Sequence, residues 1–254
     1  MQATQIGWDK IFCKINEDVR LGRLALFTGF DLKNHQETDE RERIRNMLAY
    51  EQELWNKGFK YIAGLDESGR GPLAGPVVAA AVIFPKDIFV PRIDDSKKLS
   101  SVVRESLYDI IVEQALDYGL GLAEVAEIDR INIYQATFLA MERALDKLSI
   151  RPEHLLVDGR AFPNDNIPYT TIVKGDSKCY SIAAASILAK VIRDRLMREY
   201  DAKYPEYGFA RHKGYPTPGH LDALEKFGAC PIHRQSFHPK RFLEALIPSS
   251  NHAE

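Results

Sequence analysis

The sequence predicts an α/β domain built on a mixed β-sheet flanked by helices. Two observations carry this prediction. The runs YIAGLD at 61–66 and PVVAAAVIF at 76–84 are short, apolar and bounded by Gly and Pro, as buried strands are. After them, short strand-like runs alternate with longer stretches of helical periodicity. Two leading strands joined by SGRGPLAG and followed by such alternation indicate a layered domain whose sheet mixes strand directions.

The elements follow in order. Residues 1–60 are polar and highly charged, with weak helical periodicity at 5–27 and stronger periodicity at 39–57. In the second stretch Ile44, Met47, Leu48 and Leu54 can form one buried stripe, and Gly58 reads as the helix stop. The pattern changes at Lys60, which divides the chain into an N-terminal helical extension, 1–60, and a domain, 61–254. Within the domain, 100–118 and 127–148 read as helices with a short strand at 119–125 between them. LLVD at 155–158 and YTTIVK at 169–174 are two more strands. A long helix at 177–200 has a small-residue face at Ala183, Ala184, Ala185 and Ala189, suited to close packing on a sheet. A Tyr/Pro/Gly loop at 204–218 and a short helix at 219–227 complete the order, with no internal repeat.

The 254 residues, 45% hydrophobic and 28% charged, suit one large domain or a domain with a small appendage. Cys13, Cys179 and Cys230 lie far apart and form no CxxC pair, so reduced thiols are expected. The opening MQATQIGWDKIF carries charge where a secretory leader needs an apolar run. No later run is long enough to span a bilayer, so no membrane association is expected and the cytoplasm is the expected location. Net charge is −2, so any phosphate-binding face must come from local clustering.

Four acids stand where an apolar run gives way to glycine or a turn: Asp66 and Glu67 in GLDESG, Asp158 in LLVDG and Asp176 in VKGDS. Acids are disfavoured within strands, and strand ends facing loops are where reactive groups sit. Converging carboxylates repel unless a cation lies among them, and an all-oxygen set suits Mg²⁺ or Mn²⁺ rather than zinc. The chemistry that follows is phosphoryl hydrolysis, in which two metals about 3.5–4 Å apart activate water and stabilise the leaving oxygen. Neighbours on a strand point to opposite faces, so Asp66 and Glu67 are expected to share a site only if the strand ends there. Read without a metal, the same acids are solubilising turn residues.

DESGRGPLAGPVVAAAVI at 66–83 resembles the signature of ribonuclease HII, the bacterial type 2 ribonuclease H. The resemblance continues through DSKKLS at 95–100, LLVDGR at 155–160, KGDSK at 174–178 and AAASILAKVIRDRLM at 183–197. HKGYPTPGH at 212–220 and PIHRQSF at 231–237 complete it, in the family's order and spacing. It implies a ribonuclease H-like fold in which Asp66, Glu67, Asp158 and Asp176 hold catalytic Mg²⁺ or Mn²⁺. It also implies that Gly69, Arg70 and Gly71 contact a ribonucleotide 2′-OH and the flanking phosphates, and that Tyr215 stacks on the sugar after the scissile junction. Glycines let backbone approach a ligand, and the 2′-OH is what separates RNA from DNA. The implied substrates are RNA–DNA hybrids and duplex DNA containing single ribonucleotides, cut 5′ of the ribonucleotide to leave 3′-hydroxyl and 5′-phosphate ends. A monomer is implied. Ser68 stands where many members have alanine, and Asp94 where asparagine is common; neither removes a functional group.

Lys97, Lys98, Lys174, Lys178, Lys190, Arg193, Arg211, His212 and Lys213 can line a phosphate-binding face, with Lys97 expected near the substrate phosphates. His212, His220, His233 and His238 fit no zinc spacing, and His233 and Arg234 read as structural. Two other readings are a DNA nuclease on the same fold and a catalytically inert binder of hybrid duplexes. The GRG segment with Tyr215 argues against the first, and the presence of all four acids against the second.

Overall fold

The computed structural model describes residues 34–164 and 166–237; the helix expected at 5–27, Cys13 and His238 lie outside them. The chain forms two compact units, Met1–Glu42 and Arg43–Glu254. In the first, Arg41 pairs with Glu37 one helical turn earlier at 2.8 Å.

The single helix expected over 39–57 is two, α1 (Asn34–Met47) and α2 (Ala49–Asn56), interrupted at Leu48. Ile44, Met47, Leu48 and Leu54 are all buried. The sheet has strands β1 (Ile62–Ser68), β2 (Val77–Ile83), β3 (Asp117–Ala123), β4 (His154–Asp158) and β5 (Tyr169–Ile172), in the spatial order β3-β2-β1-β4-β5. β2 runs antiparallel to both β1 and β3, while β1, β4 and β5 are parallel. The sheet is therefore mixed, as expected. Between the strands lie α3 (Ser101–Gln114) and α4 (Val125–Asp146), and after them α5 (Tyr180–Lys203), α6 (Phe209–His212) and α7 (Pro218–Phe227).

Helices cover both faces, which is why β2 is apolar throughout and buried at every residue. On one face Ala63 and Leu65 of β1 and Leu155 and Val157 of β4 pack with Ala136, Ala140, Met141 and Ala144 of α4. On the other, Ile62 and Leu156 pack with Ile182 of α5 and Leu54 of α2. α4 is not one straight helix. Asn132 has φ 67° and its side-chain oxygen accepts from the Tyr134 and Gln135 amides, so a new first turn begins there.

The start of α5 rests directly on β1. A Cβ at Gly64 would lie 2.3 Å from the Ser181 carbonyl carbon and 2.5 Å from the Ile182 nitrogen, backbone atoms that cannot step aside. Gly64→Ala is therefore expected to cost about 3 kcal/mol, the upper range for overpacking. Thermal denaturation checks this, and an unchanged melting temperature would contradict the close approach.

Helix α2 is tied to the same place. Glu51, 2% exposed, accepts at Oε1 from the Ser181 amide (2.8 Å), the Ser181 hydroxyl (2.7 Å) and the Cys179 thiol (3.2 Å). Cys179 and Ser181 flank the first residue of α5, where backbone N–H groups have no partner within the helix. Burial raises the Glu51 carboxyl above its ordinary value, against those hydrogen bonds.

Candidate metal and nucleic-acid site

Because β1, β4 and β5 are parallel, their C-terminal ends open on one side of the sheet, and the four acids gather there. The pairing of β1 with β4 stops at Leu65 and Val157, whereas β1 continues against β2 to Ser68. Asp66 and Asp158 are thus the next residues on one face of adjacent strands. Glu67 points to the other face but lies past the last rung of the β1–β4 pairing. One oxygen each from Asp66, Glu67 and Asp158 falls within 4.8 Å of the others. β1 itself runs to Ser68, just before the glycine-rich turn, but its pairing with β4 already stops at Leu65, and that lets residues of opposite faces converge.

The cluster resists ionisation. Asp66, 4% exposed, is held well above the ordinary carboxylate range, first by burial and then by the charges of Glu67 and Asp158. Burial also raises Glu67, against the pull of Arg70. It raises Asp158 as well, although the Gly175 amide donates to its Oδ1 at 2.6 Å. Carboxyl groups in this condition fit a hard, oxygen-seeking cation, which would relieve both burial and mutual repulsion. Among the described residues, no nitrogen or sulfur ligand belongs to the group.

Asp176 arrives from a 3-10 turn, Gly175–Ser177, entered through Lys174 in the left-handed conformation (φ 58°). Its carboxylate is buried and accepts from Lys97 Nζ at 3.0 Å. It stands outside the group of three but near enough for its charge to raise Asp66 and Asp158. Burial works against the Lys97 ammonium, but the Asp176 hydrogen bond and charge outweigh it and hold that group above its ordinary value. Lys97 thus sits at the acids, at the open end of the site.

The SGRGPLAG link forms the adjoining wall. Gly69 has φ 104°, a conformation reserved for glycine, while Arg70 and Gly71 are exposed. Arg70 pairs with Glu67 at 3.3 Å and lies over the ring of Tyr134, 5.0 Å from its centroid. A Cβ at Gly71 would stand 3.5 Å from Cε1 of Tyr215, so that ring lies against the glycine backbone. Tyr215 is 45% exposed, presenting an aromatic surface beside the loop. His220 Nδ1 meets the Tyr215 carbonyl at 2.9 Å, and His220 Nε2 meets His233 Nε2 at 3.0 Å. Burial pushes His220 down to about 4, so it is a neutral hydrogen-bonding group at physiological pH.

Sequence reasoning misplaced or missed several groups. Arg193, expected on a phosphate-binding face, is wholly buried and donates to the carbonyls of Pro76, Ala74 and Lys213. Its position was readable in principle, since Ala189 and Met197, one turn either side, belong to a buried stripe. Lys190 pairs with Asp194 at 2.5 Å instead of facing open solvent. Tyr134 beside Arg70 carries no local signal.

The family model of ribonuclease HII matches residues 63–240. A ribonuclease HII from Myxococcus xanthus is 52% identical over 233 residues, covering 91% of this chain and 79% of that protein. One from Clostridioides difficile is 54% identical over 198 residues, 78% of each chain. The chain belongs to the ribonuclease HII family. Among solved structures, the ribonuclease H2 of Pyrococcus horikoshii aligns with a TM-score of 0.61 at 28% identity, over 73% of this chain and 97% of that one. The fold is ribonuclease H-like. Ribonuclease HII is a type 2 ribonuclease H, a nuclease of RNA–DNA hybrids that uses divalent metal, and this chain is an enzyme of that kind. Among the described residues, no helix is long and apolar enough to cross a membrane.

Proposed function

We propose that the protein hydrolyses the RNA strand of RNA–DNA hybrids and cuts duplex DNA on the 5′ side of single embedded ribonucleotides, leaving 3′-hydroxyl and 5′-phosphate ends. The observation that carries this reading is the convergence of Asp66, Glu67 and Asp158 beside an exposed loop where Gly71 lies against Tyr215. In this reading Asp66, Glu67, Asp158 and Asp176 hold Mg²⁺ or Mn²⁺. Bound there, the metal would supply an activated water and neutralise charge on the leaving oxygen.

The protein's own groups do the rest. Gly69, Arg70 and Gly71 offer backbone to a 2′-OH and to the phosphates beside it; at exposed Gly71 no side chain keeps a nucleotide at a distance, while at Gly69 a Cβ would strike Arg193 inside the protein. Tyr215 presents its ring to the sugar that follows. Lys97, bound to Asp176, holds a positive charge at the open end of the site and meets the scissile phosphate there. Lys97 is the cation that Asp176 holds in the metal-free protein, at 3.0 Å.

The test uses a DNA duplex carrying one ribonucleotide, beside an all-DNA duplex of the same sequence, with Mg²⁺. A single cut at the 5′ side of the ribonucleotide, with the control intact, is the expected outcome. Cutting of the control would point instead to a DNA nuclease, and tight hybrid binding without cleavage to an inert binder.

A further inference from the structure

Beneath the loop that carries Gly69, Arg70 and Gly71 lie two guanidinium groups, from Arg193 of α5 and from Arg234, 0% and 2% exposed. Their N–H groups go to main-chain carbonyls. Arg193 donates from Nε to Pro76, from Nη2 to Ala74 and from Nη1 to Lys213, each at 3.0 Å. Arg234 donates from Nε to Gly75 (2.9 Å), from Nη1 to Arg70 (2.9 Å) and from Nη2 to Gly69 (2.5 Å) and Gly75 (2.8 Å). Together they gather five carbonyls of the stretch 69–76, and Arg193 adds that of Lys213, two residues before Tyr215. The neighbouring acids act on them only through space: Asp194 on Arg193, Asp129 on Arg234. Burial lowers Arg193 to about 10 and Arg234 to about 9, which leaves both cationic at neutral pH.

Burying two cations without a bonded carboxylate is costly, and tying a loop to a core does not require it. The geometry of the peptide unit shows what it achieves. In a trans peptide the N–H points away from the C=O of the same unit. Drawing the Gly69 and Arg70 carbonyls inward therefore turns the Arg70 and Gly71 N–H groups outward. Neither N–H donates to another backbone group among the described residues. The buried charges also polarise these peptides in a low-dielectric setting, strengthening the outward donors.

We infer that Arg193 and Arg234 are positioning residues for ribonucleotide recognition: they hold the loop's carbonyls inward so that the Arg70 and Gly71 amides face a 2′-OH and its adjoining phosphate, next to Tyr215. The inference rests on the reading of the GRG segment given above.

The test compares wild type with Arg234→Lys and Arg193→Lys, which keep the charge but cannot span several carbonyls. Three quantities are measured: melting temperature, Mn²⁺ affinity, and affinity for two duplexes differing by one 2′-OH. The ratio of ribonucleotide-duplex to all-DNA affinity is expected to fall about tenfold, the loss of one charge-organised hydrogen bond. Mn²⁺ affinity and binding to the all-DNA duplex should stay near wild type. An unchanged ratio, or equal weakening on both duplexes, overturns the inference and leaves the arginines as ordinary structural ties. If wild type itself binds both duplexes equally, the reading of the GRG segment fails, and the inference with it. Hydrogen exchange on the wild-type protein gives an arm that no misfolded variant can confound. The Arg70 and Gly71 amides should exchange freely in the free protein and gain protection with the ribonucleotide duplex; protection already present in the free protein overturns the inference.

Discussion

Asp66→Asn is expected to lower cleavage by about a thousandfold or more, the scale on which groups that stabilise developing charge act, while making the metal-free protein more stable. The two effects have one cause. Asp66 is buried beside Glu67 and Asp158, and its carboxyl is raised well above its ordinary 3.8 by burial first and by those charges next. A carboxyl raised on folding keeps a proton that the unfolded chain gives up. Wild-type stability therefore falls as pH climbs from about 3.8 toward the raised value, and is level beyond it. Asparagine does not titrate. In EDTA the variant should match wild type at pH below that window and exceed it increasingly above. Melting curves across pH with EDTA, beside rates with Mg²⁺, check both halves. A variant less stable than wild type in EDTA near pH 8 would contradict the picture of a repulsive, cation-seeking cluster.

Glu51→Ala is expected to destabilise the protein by about 2–4 kcal/mol, from unpaired buried donors together with the cavity left behind. The truncation strands the Ser181 amide, the Ser181 hydroxyl and the Cys179 thiol, all of which meet Glu51 Oε1. Glu51→Gln keeps an acceptor at the same place and should be tolerated. Its sign with pH follows from burial, which raises the Glu51 carboxyl above its ordinary 4.5. Wild type loses stability as pH rises above about 4.5, so the Gln variant should gain on it from there upward. Thermal denaturation of both variants at acidic and neutral pH is the check. Destabilisation of the Gln variant as deep as that of the Ala variant would show that Glu51 acts as a buried charge and not as a neutral cap.

Much of the fold was legible because its signals are local. The strands announce themselves as apolar runs between glycines, and the change from two adjacent strands to alternation marks the mixed sheet. The acids stand out because carboxylates rarely follow such runs. What stayed hidden depends on distant partners. How Asp66 and Glu67 come to one site is decided by where the pairing with β4 stops, which neither residue's surroundings reveal. Glu51 looks like a solvated charge on a polar helix; its partner Ser181 is 130 residues away. Arg193 looks like one more base on a helix rich in bases, and only the loops packed on α5 show that its guanidinium is tied to their carbonyls. The breaks at Leu48 and Asn132 lie inside unbroken helical periodicity, where short-range preference gives no warning.

If the acids at the ends of β1 and β4 form a divalent-cation site, the protein takes up Mn²⁺ through Asp66 and Asp158. The most direct measurement is a Mn²⁺ titration followed by the electron paramagnetic resonance of the free ion, for wild type, Asp66→Asn and Asp158→Asn. Uptake by wild type that is lost or greatly weakened in both variants, each still folded, is the predicted result. Uptake undiminished in the two variants would contradict it and place the metal elsewhere on the protein.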